Sequence, residues 1–359
     1  MGWSFWSIYD GHVGPQTASV LESLLLGNLA QALSALYRDG KLPETESIHS
    51  TFKRVFLALD DEMVVKPAQL IFELPEGAPI KTLAAVALQA ARAGSCALVS
   101  FYEANVRRLH VAVVGDSRAV LGRRRETADG KTVYDVHVLS VDQTGRNPAE
   151  AARLAAAHPD EALVTGSRVL GWGISRSFGN GVMKWSRELQ TTMQERVLGD
   201  KPRTTLLTPP YFTAEPEMTT TAIEPGDFMV MGSDGLWDCL SNEEVVGLVG
   251  VWLARRDRDR DAGGAPSIIG EEEVMKRADS EEVIERVDLP VELKDNKTHY
   301  ATWNVKKRFV NVDTNAAAHL ARNALGGADT DLHHALLTLP APRARYFRDD
   351  LSAIVVFFE

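Results

Sequence analysis

The alternation of apolar and polar positions predicts a chain that mixes strands and helices. In "WSFWSIY" (residues 3–9), Trp3, Phe5 and Tyr9 fall on one face of an extended segment and Trp6 and Ile8 on the other. Both faces are apolar, which predicts a strand buried on two sides. A turn at Gly11–Gly14 follows, and Pro15 suits the first turn of a helix. Leu21, Leu24, Leu25, Leu29, Ala32, Leu33 and Leu36 then recur at helical spacing until Gly40. A second helical stripe joins Ile48, Phe52, Val55, Phe56, Leu59 and Met63. From residue 95 the period shortens to that of strands. Residues 96–103 and 108–115 read as a pair, and 118–124 and 132–140 as a second pair joined by the turn-like "TADGK".

Further along, Asn147, Pro148 and Glu150 have the order of an N-cap, a first-turn proline and a capping-box acid. That helix should stop near His158-Pro159. Ser241 and Glu244 form a second capping box, preceded by a strand over 227–233, and residues 351–358 close the chain as a strand. Two stretches lack clear periodicity. Residues 185–217 are polar and proline-bearing and predict an irregular surface segment. Residues 255–313 open with "RRDRDRDAGGAP" and predict an insertion before a helix near 313–325. The coarse expectation is an α/β fold: one domain over 1–359, with antiparallel sheets and helices outside.

Composition narrows the function classes. Hydrophobic residues make up 45% and charged residues 25% of the 359, which is ordinary for a globular protein. A net charge of -10 argues against a nucleic-acid partner held by phosphate neutralisation. Two cysteines are too few for a disulfide framework and predict small core residues in a reducing compartment. No apolar run reaches the ~20 residues of a membrane span, so none is expected, and the first residues carry no basic leader. The tryptophans read as core rather than as a peptide platform, and His333-His334 as a solvated helix face.

The chemistry concentrates in four aspartate-bearing turns beside β runs: Asp10-Gly11-His12, Gly115-Asp116, Ser233-Asp234-Gly235 with Asp238, and Asp349-Asp350. Singly, an Asp-Gly is a hairpin turn. Four of them at strand ends predict a shared site, because a carboxylate beside apolar strands is costly to desolvate unless a divalent cation neutralises it. Magnesium or manganese takes such hard oxygen ligands. No Walker-type phosphate loop, nucleophile elbow or cysteine-phosphatase loop is present among the motifs.

Five segments, in order, carry a resemblance: "FWSIYDGHVG", "GSCALVSFY" with "RLHVAVVGDSRAVLGRR", "GISRSFGNGVMKW", "FMVMGSDGLWDCLSNEEVV" and "YFRDDLSAIVVFF". Together they resemble the motifs of the metal-dependent protein phosphatases of type 2C. "NPAEAARLAAAHP", "KWSRELQ" and "TPPYFTAEP" resemble the pyruvate dehydrogenase phosphatase branch. The resemblance implies an α-β-β-α sandwich of antiparallel sheets flanked by helices, here lacking its first strand segment. It implies two Mg2+ or Mn2+ ions whose water attacks phosphoserine or phosphothreonine of a phosphoprotein substrate. By motif position Asp10 bridges both metals, the Gly11 carbonyl ligates one, and Asp234 and Asp349 complete the shell. Asp116 and Asp238 match a third, weaker metal position, and His12 matches the general acid. Arg118 and Arg176 are expected to pair with nearby acids. The branch implies a mitochondrial matrix location; the cytoplasm is the alternative.

Two departures bear on activity. The family pattern has a leading segment with a phosphate-holding arginine and a metal-ligating glutamate, and residues 1–9 offer neither. Asn180 stands where the family pattern has an aspartate, outside the main ligand set, so modulation is expected. Three readings stay open: an active phosphatase, a catalytically impaired relative that acts by protein binding, and a partial chain of an active enzyme.

Overall fold

A computed structural model describes residues 2–38, 40–261 and 283–359. The chain divides into two compact units, one formed by Met1–Ser117 and Ser140–Thr221, the other by Arg118–Leu139 and Ala222–Glu359. Both are mixed α/β with antiparallel sheets.

The first unit is built on β1 (Trp3–Ile8), β4 (Ala97–Glu103), β5 (Arg108–Val114) and β11 (Glu217–Ala222), in the order β1-β4-β5-β11. β4 is buried along its whole length, as its unbroken apolar run requires. Helices α1 (Gln16–Leu36) and α2 (Thr45–Phe72) supply the other side of the core. Leu21, Leu25, Leu29 and Leu33, four residues apart, are fully buried with Ile48, Phe52 and Phe56 of α2 and with Val99 and Phe101 of β4. Burying each such side chain contributes about 1.5–3 kcal/mol. α1 is long and apolar enough to cross a membrane by length and composition, a feature the run-length expectation missed. Its leucine stripe nevertheless packs into this core.

A small second sheet lies within the same unit, with β3 (Gly94–Ser95) between β2 (Gly11–His12) and β10 (Phe178–Gly179). Its register pairs Gly11 with Ser95 and His12 with Gly94 on one side, and Phe178 with Ser95 and Gly179 with Gly94 on the other.

The second unit carries β6 (Arg118–Glu126), β7 (Thr132–Val138), β12 (Phe228–Gly232) and β15 (Ala353–Phe357), in the order β15-β12-β6-β7, all antiparallel. Helix α8 (Asn242–Asp261) lays Val245, Val246, Leu248 and Val249 on a core with Val120, Phe228 and Val230. Its start is a closed capping box: the Ser241 amide donates to Glu244 Oε2 (2.8 Å) and the Glu244 amide to Ser241 Oγ (3.2 Å). Leu289, Tyr300 and Phe309 join this core, so part of the 255–313 stretch is packed. Residues 262–282 of that stretch lie outside the described residues.

Several expectations change. β1 is half-buried with only Ile8 buried, because among the described residues it pairs with β4 alone at the sheet margin. Leu24 lies off the buried leucine stripe and is exposed. Residues 185–217 are not a purely irregular surface: they contain α6 (Arg187–Arg196), and Trp185, Met193, Leu206, Tyr211 and Phe212 are buried. Those apolar residues pack although the text around them is polar, while Leu198 and Leu207 stay exposed. His333 is buried too, its Nδ1 donating to the Leu325 carbonyl (3.1 Å).

Candidate active site

β1 ends at Ile8, and the chain turns through Asp10 into β2. The Asp10 carbonyl accepts the Cys96 amide at 2.8 Å, which fixes this turn against the start of β4. Asp116 stands in the turn after β5, where its Oδ1 accepts from Cys96 Sγ at 3.2 Å. Burial first, and then the charges of Asp116 and Asp10, push the Cys96 thiol well above its usual range. Cys96 is therefore an inert spacer between two carboxylates. Gln143 braces the same turn: its Oε1 accepts the Gly115 amide (2.7 Å), and its own amide donates to the Gly115 carbonyl (2.8 Å).

His12 is held from across β3. Its Nε2 lies 2.7 Å from Asn180 Oδ1, and that same amide oxygen accepts from Ser177 Oγ at 2.7 Å. An amide oxygen only accepts, so the proton of the His12 bond sits on Nε2. Asn180 is fully buried in a left-handed conformation (φ 48°), its Nδ2 without a partner among the described residues. Gly94 makes this meeting possible, because a Cβ there would strike both Asn180 Oδ1 and His12 Nε2. Lys184 Nζ bonds both carboxylate oxygens of Asp60 (2.8 and 2.7 Å) and the Ser177 carbonyl (2.8 Å), tying this turn to α2. Asn180, expected to modulate from outside the main ligand set, touches His12 directly. No local signal could reveal this, because the contact joins residues 168 positions apart.

Upstream of Ser177 the segment is anchored by Glu150. Helix α5 (Pro148–Ala157) is capped by Asn147, whose side chain accepts the Ala149 amide. Glu150 does not close the expected box. Its carboxylate instead receives Arg176 (2.5 Å), Arg153 (2.9 Å) and Ser175 Oγ (2.6 Å). Burial raises its proton affinity, but the hydrogen bonds from Arg176, Arg153 and Ser175 outweigh that and hold the carboxyl down at about 2. Arg176 also pairs with Glu217 (3.3 Å), as expected of it. Arg118 donates to Asn242 Oδ1 (2.8 Å) and lies over the Trp237 ring at 5.0 Å.

In the second unit Asp234 opens the short helix α7 (Asp234–Trp237), and Asp238 follows as its exposed C-cap. Gly235 lets this turn approach the Asp350 carbonyl, which a Cβ would strike. Ser233 Oγ donates to that carbonyl (3.1 Å) and accepts the Ser352 amide (3.0 Å), so the turn bearing Asp234 lies against the Asp349-Asp350 turn. Asp349 accepts the Asp350 amide (2.8 Å) and faces Arg345 Nη1 at 3.4 Å. The sequence-derived acids therefore gather as Asp10 and Asp116 in one unit and as Asp234, Asp238 and Asp349 in the other.

Among the described residues no three His, Cys, Asp or Glu side chains form a ready-made metal cage. Magnesium and manganese do not need one, since they bind through one or two carboxylates and keep several waters. The paired oxygen donors fit that demand. They would not suit a soft metal, because the Cys96 sulfur is buried and protonated.

A family model described as Protein phosphatase 2C matches residues 1–267. The chain belongs to the protein phosphatase 2C family. It is therefore of the metal-dependent protein phosphatase class of hydrolases. A protein phosphatase 2C homolog of Schizosaccharomyces pombe is 35% identical over 364 residues, 99% of this chain and 74% of that protein. The mitochondrial pyruvate dehydrogenase phosphatase 1 of Saccharomyces cerevisiae is 34% identical, over 99% of this chain and 62% of its own length. The human mitochondrial pyruvate dehydrogenase phosphatase 2 is also 34% identical, over 76% of this chain and 49% of its own length. The chain thus spans about half to three quarters of these relatives. A solved serine-threonine phosphatase 2C of Toxoplasma gondii aligns with a TM-score of 0.44 and 17% identity, over 73% of this chain and 75% of that one.

Proposed function

We propose that this protein hydrolyses phosphoserine and phosphothreonine in proteins using Mg2+ or Mn2+, and that its substrates belong to a mitochondrial dehydrogenase complex. The observation that carries the reading is the His12–Asn180 bond of 2.7 Å, formed beside Asp10 and Asp116. A histidine held this firmly two residues from Asp10 is suited to proton transfer to a leaving oxygen. The ligands for two ions would be Asp10 and the Gly11 carbonyl in the first unit and Asp234 and Asp349 in the second, with Asp116 and Asp238, one in each unit, as candidates for a weaker ion. When bound, such ions supply the Lewis acidity that makes water nucleophilic near neutral pH.

The chain's own residues do the rest. As the serine or threonine O–P bond breaks, a doubly protonated His12 keeps Nε2–H on Asn180 and gives its Nδ1 proton to the departing oxygen; the water's oxygen stays on phosphorus, and the proton that water loses restores the one His12 gave. Asn180 accepts from Nε2 and limits the ring's rotation, so its motion need not be frozen during reaction. The names of the similar mitochondrial pyruvate dehydrogenase phosphatases support this substrate and compartment. Those names lend no support to the alternative of a non-catalytic binder.

The test is manganese-dependent phosphate release from a phosphoserine peptide and from phosphorylated pyruvate dehydrogenase, with Asp234→Asn alongside. Turnover by the unaltered protein, with weakened metal binding in the variant by calorimetry, is expected. A folded, metal-loaded protein that releases no phosphate from either substrate defeats the reading. Equal rates on unrelated phosphoproteins defeat its substrate half alone.

A further inference from the structure

A cavity of about 190 Å³ opens beside His12, wholly within the first unit. Its apolar wall is Val13, Trp172, Val182, Trp185 and Met193. Trp172 sets its edge against the His12 ring (centroids 6.0 Å, 61°) and against Phe212 (6.0 Å, 77°). The wall is braced rather than loose: Trp185 Nε1 donates to the Val64 carbonyl (2.9 Å), and Gln190 Nε2 donates to the carbonyls of Val182 (3.1 Å) and Trp185 (2.9 Å). Val13 directly follows His12, is 70% exposed and adopts φ 63°, which is strained for a β-branched residue. Leu198, 71% exposed at φ 61°, directly precedes the lining residue Gly199. A strained, exposed apolar side chain at Val13 thus borders the cavity next to His12.

The rim has the opposite sign from the protein. Arg92, Lys201 and Arg203 line it against the single acid Asp200, a local excess of two positive charges in a chain of net charge -10. Lys201 and Arg203 are exposed and make no ion pair among the described residues, and Arg92 has only a long contact to the Leu198 carbonyl (3.5 Å). Arg176, Lys184 and Arg108 of the same unit are, by contrast, each tied to a carboxylate. A cavity with an apolar floor and unpaired cations at its edge is complementary to an apolar side chain flanked by carboxylates.

We infer that this cavity recognises the residues flanking the phosphorylated serine or threonine, taking an apolar side chain against Trp172 and Val13 and acidic neighbours against Lys201 and Arg203. The inference rests on the reading of His12 as the proton donor, because that role puts the phosphorylated residue at the cavity's edge. The site then selects acidic phosphoprotein segments, and the selection lies in binding rather than in the chemical step.

Binding and turnover separate the two readings. Fluorescently labelled phosphoserine peptides, one flanked by leucine and aspartates and one by leucine and lysines, are titrated by anisotropy with metal chelated so that no hydrolysis occurs. The acidic peptide should bind at least ~10-fold tighter, more so at low salt. Lys201→Glu with Arg203→Glu should erase the preference while leaving manganese-dependent hydrolysis of p-nitrophenyl phosphate unchanged. Trp172→Ala should weaken both peptides alike. Equal affinity for the two peptides, or a preference that survives the double charge reversal, overturns the inference. Failure to hydrolyse p-nitrophenyl phosphate would instead count against the proposed activity, and the anisotropy result would still decide the cavity's role.

Discussion

The two units hold their acids in opposite ways. In the first, Asp116 accepts from a buried thiol, and His12 is bonded to a fully buried asparagine that is itself bonded to Ser177. In the second, Asp238 and Asp350 are exposed, and Asp349 accepts the neighbouring Asp350 amide and faces a largely exposed Arg345 across 3.4 Å. A group that must deliver a proton along one direction needs its ring orientation set in advance. A carboxylate that holds a hydrated cation needs access and space for water. The contrast is between a proton donor whose orientation is set in the first unit and carboxylates left open to water in the second.

The largest expected effect attacks the first side of that contrast. His12→Ala should lower kcat on a phosphoserine peptide by about 10²–10⁴, with little change in KM. With p-nitrophenyl phosphate, whose leaving group departs without a proton, the loss should be far smaller. Equal losses on both substrates would mean that His12 does something other than protonate the leaving oxygen. Metal affinity by calorimetry should be nearly unaffected, in contrast to Asp234→Asn.

Next in size come the two buried glutamates that begin helices in the two units. Glu150 is bound by Arg176, Arg153 and Ser175, and Glu244 by Arg286 (2.5 Å), Lys307 (2.7 Å) and its own capping serine. Removing the charge from either strands buried cations, so Glu150→Gln and Glu244→Gln should each cost about 3–5 kcal/mol in denaturant unfolding. Their effects on turnover should differ. Glu150 anchors Ser175 and Arg176, which lead to Ser177 and Asn180, so Glu150→Gln should also slow catalysis in the protein that remains folded. Glu244→Gln should leave the folded fraction's kcat intact.

Acid titration sharpens the same comparison with a smaller effect. The Glu150 carboxyl lies at about 2 in the folded protein, below its ordinary value of 4.5. A depressed acid stabilises the fold fully above the unfolded value, and that contribution is lost as pH falls through 4.5 towards 2. Stability measured by urea unfolding should decline over this window, and Glu150→Gln should flatten that part of the curve. A decline of unchanged size in the variant would assign it to other carboxylates.

These glutamates also show what was legible in the sequence. The spacing Ser241-x-x-Glu244 told the truth because both partners belong to the same four residues. Asn147-x-x-Glu150 has the same spacing, yet only the asparagine caps; the acid turns to Arg176, supplied by a segment 26 residues away. Strands such as Ala97–Glu103 and the Leu21–Leu33 stripe were readable because burial imposes a period on every position. The buried residues of 185–217 were not, since Tyr211 and Phe212 stand in polar text, and Tyr211 is fixed by the distant Glu161 (2.7 Å). Asp10, Gly11, His12 and the other acids were legible as motifs, but the His12–Asn180 bond depends on β3 pairing with two strands at once.

The smallest expected change bears on that bond. Asn180→Asp keeps the side chain's shape, still accepts from Ser177 Oγ, and removes the Nδ2 group that has no partner among the described residues. An anionic acceptor also favours a proton-bearing ring on His12. Against this stands the cost of a carboxylate at a position with no solvent exposure. With the charge-assisted bond offsetting much of that cost, turnover of a phosphoserine peptide should rise, by less than ~10-fold, with p-nitrophenyl phosphate hydrolysis barely changed. Asn180→Ala should instead lower peptide turnover by releasing the ring, and should do so without altering manganese affinity. If Asn180→Asp and Asn180→Ala moved turnover together, the asparagine would matter to the first unit only as packing, and the contrast between an oriented donor and open acids would lose its strongest support.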